Sequence, residues 1–287
     1  MSVDQNIKAR DFLIQNILQE NILYFGAPKN ARWRNRVVDA WMDDQSNPRW
    51  RYELINEFIK FKKGTKILDM ASGCGTFVFY GLLNGHDAYG IDPEDWKHTF
   101  CRLKAAEYGY PDEWIGRFHK GVGEFLPYKD NFFDCVSSYQ TLEHVQDPQK
   151  CIFEMCRVTR VGGCVHIMCP DYRSTYEGHY LLPWLPLFPR QLARIYLKLL
   201  GKSTKCLDGI NYTTTPKIYR WLKEIENEMG WSFCILDYCK RKFEKALLKR
   251  KIPLITGSYL FYQILIFIRQ LFRKESSTNI FVLILKK

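Results

Sequence analysis

The run Lys66-Ile-Leu-Asp-Met-Ala-Ser-Gly-Cys-Gly-Thr76 carries the most chemistry in this chain. An apolar stretch ends at Asp69, Gly73 and Gly75 open a turn, and a helix is predicted to start near Thr76. Glycines let backbone approach a ligand closely, and a helix N-terminus aims unpaired N–H groups at it, so the run reads as a cradle for a nucleotide-like cofactor. A pyrophosphate cradle needs a third glycine in the pattern G-x-G-x-x-G, and that position is Val78. Asp69, four residues before the first glycine, would repel a pyrophosphate and attract an ammonium or sulfonium. A second acid, Asp92, ends the next apolar run, 23 residues after Asp69. There it can accept both hydroxyls of a ribose, in charge-assisted bonds of about 1.5–3 kcal/mol each. Its alternative role is to cap the following helix, with Pro93 at the first helical position.

S-adenosylmethionine has both cations and no phosphate. The run Asp69–Gly75 resembles the class I S-adenosylmethionine-dependent methyltransferases, whose loop reads D-x-G-x-G-x-G, with Ala71 here in place of the first glycine. Gly121 to Pro148 is similar to that family's stretch A-E-x-L-P-F-x-D-x-S-F-D-x-V followed by L-E-H-V-x-D-P, and Arg157 to Pro170 resembles its R-V-L-K-P-G-G passage. The resemblance covers residues 66–170 in four ordered motifs and implies a Rossmann-like α/β fold. That fold has a seven-stranded, mostly parallel sheet with an antiparallel last strand. It also implies that Asp69, Ala71, Gly73, Gly75 and Asp92 surround the cofactor, that Gly123 and Glu124 frame its adenine, and that Tyr139 and Gln140 belong to the same site.

Ser46-Asn-Pro-Arg-Trp-Arg51 and Thr141-Leu-Glu-His-Val145 look like the quinone-biosynthesis O-methyltransferases, which carry N-P-L-R upstream of the loop and E-M-L-E-H-V downstream. That likeness implies that Arg51 pairs with the methionyl carboxylate of the cofactor, with Arg49 as its rival. A planar guanidinium suits a carboxylate in bidentate fashion. In that family Glu-x-x-Glu-His can hold a divalent metal. Gln140 replaces its first carboxylate here, and no metal is expected. From Tyr176-Glu-Gly-His-Tyr180 to Gly209-Ile-Asn-Tyr212 the chain resembles uncharacterised methyltransferases of glycan and lipid-linked pathways.

Methyl transfer is an in-line displacement at a sulfonium, so the protein mainly orients the acceptor and removes its proton. Histidine is the natural base near pH 7. His86 and His98 fall before and after the second strand, and His119 and His166 inside strands. His144 and His179 follow the fourth and fifth strands at the carboxyl edge of the sheet, so they are the candidate catalytic residues, with Glu143 to orient either imidazole. Each histidine could instead be a structural loop residue. Nucleic-acid acceptors fit poorly. Tyr139-Gln-Thr-Leu142 is unlike the clamp that holds a flipped adenine, and Cys169-Pro170 reverses the Pro-Cys order of cytosine-C5 enzymes. The expected acceptor is a small or lipid-linked molecule methylated on oxygen. An RNA methyltransferase and a cofactor-binding protein without turnover are the alternatives.

The elements that must position these groups follow from apolar spacing. Residues 1–64 read as a cap of three helices, and residues 65–287 as the methyltransferase core, with insertions near 171–205 and 240–275 after the fifth and sixth strands. The ten cysteines are scattered with no C-x-x-C pair, which fits reduced core residues and neither zinc nor disulfides. Without an apolar N-terminal stretch, cytoplasmic residence is expected. The net charge of +11 is concentrated: Lys240 to Lys251 holds seven basic residues and one acid, ahead of the apolar run Tyr259–Ile268. Such a pair suits peripheral contact with an anionic membrane surface, or else a buried helix beside a solvated basic face. Basic residues beside an apolar run, rather than among exposed aromatics, argue against nucleic acid.

Overall fold

The computed structural model describes residues 7–238 and 277–286. The basic stretch 240–251 and the apolar run 259–268 lie outside the described residues.

Five strands make up the first part of the core, with helices between all but β3 and β4: β1 (Lys66–Met70), β2 (Asp87–Asp92), β3 (Phe118–Lys120), β4 (Phe133–Tyr139) and β5 (Thr159–Pro170). A small hairpin follows, β6 (Tyr176–Glu177) with β7 (Leu182–Pro183), and then β8 (Ser232–Asp237) and β9 (Ser277–Lys286). The main sheet has seven strands in the order β3-β2-β1-β4-β5-β9-β8. β1 pairs parallel with β2 and β4, and β4 parallel with β5, whereas β9 runs antiparallel to both β5 and β8. This is the mostly parallel sheet with an antiparallel last strand that the sequence resemblance implies. The carboxyl ends of β1, β2, β4 and β5 therefore share one edge, where ligands bind in open α/β sheets.

The central strands are apolar throughout because both faces are covered. Ile67, Cys135 and Cys164 sit in register and, with Phe281, meet one layer of helices; Leu68, Val136 and Val165 sit in register and meet the other. All seven are at most 1% exposed, and burial of such side chains is worth about 1.5–3 kcal/mol each for the larger ones. Helices α4 (Thr76–Leu83), α5 (Asp95–Tyr108), α6 (Pro148–Val158) and α9 (Thr215–Met229) form those layers. Eight of the nine described cysteines are buried, and all nine are free thiols.

The predicted cap helices are α1 (Ala9–Phe25), α2 (Ala31–Met42) and α3 (Arg49–Asn56). Leu13, Ile17, Val38 and Met42 pack with Phe100 of α5, while Tyr52 and Ile55 of α3 join the sheet's own core. A buried ion pair ties cap to core, with Lys104 Nζ 2.6 Å from Asp44 Oδ1. After β5 the hairpin, α7 (Arg190–Leu199) and α8 (Lys205–Asp208) enclose a separate small core of Tyr180, Trp184, Phe188, Ala193, Leu197 and Ile210. Phe25 of the cap meets Tyr180 edge-on at 5.4 Å, so cap and inserted hairpin close over the same sheet edge. Among the described residues no helix is long and apolar enough to cross a membrane.

Candidate active site

The turn after β1 is built as its residue types demand. Ala71, Gly73 and Gly75 all have left-handed backbone, at φ of 61°, 53° and 75°. Gly75 is constrained twice, since a Cβ there would also lie 2.8 Å from the Phe118 ring and 2.9 Å from Cys101 Sγ. Ala71 holds this left-handed conformation with a Cβ and bears the steric cost. Asp92, at the end of β2, accepts the Gly73 amide at 3.0 Å on one carboxylate oxygen and the Glu94 amide at 3.0 Å on the other. Lys97 lies 3.6 Å from Asp92 and 2.5 Å from Glu94. Asp92 thus fastens the loop, and its carboxylate has lone pairs to spare.

This loop opens on a cavity of about 620 Å³. Of the residues singled out in the sequence, Arg51, Asp69, Ala71, Gly73, Tyr139, Gln140 and His179 line it. Gly75, Asp92, Gly123, Glu124, Glu143 and His144 stand behind or beside that lining. Glu124 has a structural task of its own: its carboxylate accepts the amides of Gln146 and Asp147 at 2.8 and 3.2 Å. Gly123 is packed so that a Cβ would meet Met70 Sδ at 2.8 Å.

Arg51 is held at the cavity by Asp69. Its guanidinium is 2.7 Å from Asp69 Oδ1, both side chains are buried, and it lies 3.5 Å from the centre of the Phe77 ring. Burial pushes the Asp69 carboxyl up to about 6, against the pull of Arg51. Arg49 is exposed, paired with Glu53 at 2.8 Å, and not among the residues lining the cavity. Sequence reasoning missed most of the aromatic wall: Trp33, Trp41 and Trp50 come from the cap, and Tyr176 from the hairpin. Lys29 also lines the cavity, 4.1 Å from the Trp33 ring and 4.3 Å from that of Phe25; burial lowers its ammonium to about 8. A tryptophan-rich segment ahead of the glycine loop was the available signal.

At the far end the two candidate histidines meet. His179 Nε2 and His144 Nε2 are 3.0 Å apart, and His179 Nδ1 lies 2.6 Å from Glu177 Oε1. The second Glu177 oxygen accepts the Tyr180 amide at 2.6 Å. Glu177, not Glu143, therefore orients His179. Burial alone would lower the His179 pKa, but the Glu177 carboxylate outweighs it and the net shift is upward. Glu143 is fully buried with both carboxylate oxygens unpaired, and burial pushes it up to about 7. Its nearest imidazole is His144, whose Nε2 is 3.8 Å away. Glu143, His144 and His179 each offer a ligand atom within 4.8 Å of the others. The other histidines are elsewhere. His166 is buried against Ser137 and Phe281, His119 meets Tyr128, His98 meets the Asp92 carbonyl and His86 that of Lys62.

Comparison with known proteins decides what this loop belongs to. The family described as "Methyltransferase domain" matches residues 68–167. Residues 68–167 are thus similar to a methyltransferase domain. The curated relatives similar to it include a demethylmenaquinone methyltransferase of Paenarthrobacter aurescens, 31% identical over 52% of this chain and 58% of that protein. Another is the chloroplastic 2-methyl-6-phytyl-1,4-hydroquinone methyltransferase 1 of rice, 25% identical over 57% of this chain and 50% of that one. The chain thus spans little more than half the length of the curated relatives it matches. Among solved structures, the phosphoethanolamine N-methyltransferase 2 of Haemonchus contortus, bound to S-adenosyl-L-methionine, aligns over 99% of this chain and 61% of its own with a TM-score of 0.52 at 16% identity. At that identity the likeness is one of fold. The matched residues run from β1 into β5, while the cap helices, the hairpin and His179 lie outside them.

Proposed function

We propose that this protein is an S-adenosylmethionine-dependent methyltransferase acting on oxygen of a small-molecule or lipid- or glycan-linked acceptor. One observation carries the reading: a single cavity runs from the Ala71–Gly73 turn to His179, joining a cofactor loop to a proton-accepting group. The residues fit the cofactor. Asp92 accepts one amide on each carboxylate oxygen and retains acceptor capacity for ribose hydroxyls. When bound, S-adenosylmethionine supplies a methyl group already activated on a sulfonium. Asp69 and Arg51, paired at the floor, can divide between the ammonium and carboxylate of its methionyl end. The tryptophans of the cap and Tyr139 shed water from the site and suit an apolar or aromatic acceptor. Relatives named for quinone and hydroquinone methylation support an aromatic small-molecule acceptor. The acceptor oxygen would face the histidine cluster and lose its proton there, with Glu177 holding the His179 ring in place.

Incubation with methyl-labelled cofactor and a cell extract fractionated into lipid, small-molecule, RNA and protein pools tests this. Label is expected in the small-molecule or lipid pool, and His179→Ala should abolish transfer while leaving the affinity for S-adenosylhomocysteine unchanged. Label confined to the RNA or protein pool would overturn the acceptor class. Tight cofactor binding with no transfer to any pool would leave a binding protein of methyltransferase fold.

A further inference from the structure

Among the described residues, Lys29 is the one lysine or arginine of the cavity wall without a counter-ion. The other two are paired: Arg51 lies 2.7 Å from Asp69, and Lys97 lies 2.5 Å from Glu94 and 3.6 Å from Asp92. The Lys29 ammonium instead sits against two rings, 4.1 Å from the centre of Trp33 and 4.3 Å from that of Phe25. Rings hold a cation by their quadrupole and leave its N–H donors to a ligand. Half-buried there, the group loses part of its water, and that desolvation brings its pKa down to about 8. Glu177 is the carboxylate whose charge favours the cation, yet its two oxygens are already taken by His179 Nδ1 and the Tyr180 amide. His179 also feels the Lys29 charge, which places the ammonium toward the histidine end of the cavity.

We propose that Lys29 seats an anionic group of the acceptor, a carboxylate or a phosphate, so that the acceptor is an acid whose apolar or aromatic body packs on Trp33 and Tyr176. Both of those side chains line the same cavity. A cation already stripped of part of its water gives up less hydration on meeting an anion, and the contact is correspondingly stronger. Lysine is a compact point charge without a bidentate geometry, so it takes either anion. The bound anion would neutralise the unpaired charge and anchor one end of the acceptor while its hydroxyl meets the histidines. The inference rests on the methyltransferase reading for the role of the bound acid, not for the anion site itself.

Full-length protein, with and without S-adenosylhomocysteine, would be titrated with benzoate, phenyl phosphate and uncharged benzamide, followed by tryptophan fluorescence and calorimetry. At least one of the two anions is expected to bind about 10- to 100-fold more tightly than benzamide, the effect of one charge-assisted hydrogen bond, and the tighter of the two identifies the group. Lys29→Met, which keeps an unbranched side chain and removes the charge, should erase that advantage, and Lys29→Arg should keep most of it. Neither variant should change the affinity for S-adenosylhomocysteine. Equal binding of anions and amide would overturn the proposal, as would an advantage that survives Lys29→Met. A Lys29→Met loss confined to S-adenosylhomocysteine would overturn it too, by giving the lysine to the cofactor. In extract incubated with methyl-labelled cofactor, the labelled product should be retained on an anion exchanger, with phosphatase releasing it where the group is a phosphate monoester. Label only in uncharged products defeats the anion site alone, and anion binding without transfer to any pool defeats the methyltransferase reading alone.

Discussion

Ala71 carries a backbone conformation that glycine adopts freely. A non-glycine residue in the left-handed region costs roughly 1–2 kcal/mol, of which glycine's larger unfolded-state entropy would return about 0.5–1. Ala71→Gly is therefore expected to stabilise the protein by up to about 1 kcal/mol in denaturant unfolding, without loss of cofactor affinity. A destabilised variant would mean that the alanine methyl makes packing contacts worth more than the strain. The same scale explains why Arg51 and Asp69 had to be seen to be paired. Sequence placed each near the cofactor, but a 2.7 Å buried bridge between residues 18 apart depends on where α3 docks against β1.

Among the elements, two buried charge pairs fasten the cap to the core, Arg51 of α3 with Asp69 of β1 and Lys104 with Asp44. Lys104 of α5 has an Nζ bonded to Asp44 Oδ1 at 2.6 Å and to the Trp41 carbonyl at 3.0 Å, and Tyr110 adds a 3.3 Å bond to the other Asp44 oxygen. Both charges are buried, so removing one partner strands the other. Lys104→Met should cost about 3–5 kcal/mol, and Lys104→Met with Asp44→Leu should recover much of that. Urea unfolding of both variants measures it, and a single variant as stable as wild type would show that the pair is not what holds the cap. Because Trp33 and Trp41 of α2 and Trp50 of α3 line the cavity, a loosened cap should also weaken acceptor binding before it affects the sheet.

At the scale of the whole molecule, charge is unevenly distributed. Of the formal +11, residues 240–251 contribute more than half, directly before an apolar run. Attraction of basic residues to anionic headgroups is worth up to about 1 kcal/mol each near the surface and falls with salt. The protein is expected to float with phosphatidylserine-containing vesicles at low salt and less at high salt. Replacing Lys249, Arg250 and Lys251 by Gln should remove most of the salt-sensitive part. Absence of flotation at any salt would end the membrane expectation and leave the methyltransferase reading untouched.

The sheet and its glycine loop were legible because they are encoded locally. Apolar strands ending in Asp69 and Asp92, and a turn of left-handed residues before Thr76, fix strand–loop–helix geometry from neighbours in sequence. The antiparallel last strand was implied by the family resemblance, and the choice of His144 and His179 over four other histidines followed from element order along the chain. Only tertiary structure decided the rest. Residues far apart in sequence converge on the site: tryptophans of the cap on the cofactor loop, Glu177 on His179 rather than Glu143, and His179 on His144. It also assigned Glu124 to the turn before α6 and left Glu143 buried without a partner. Local spacing sets which way a side chain leaves its strand or helix, but its partner depends on how separate layers pack, and that is settled by burial over the whole core.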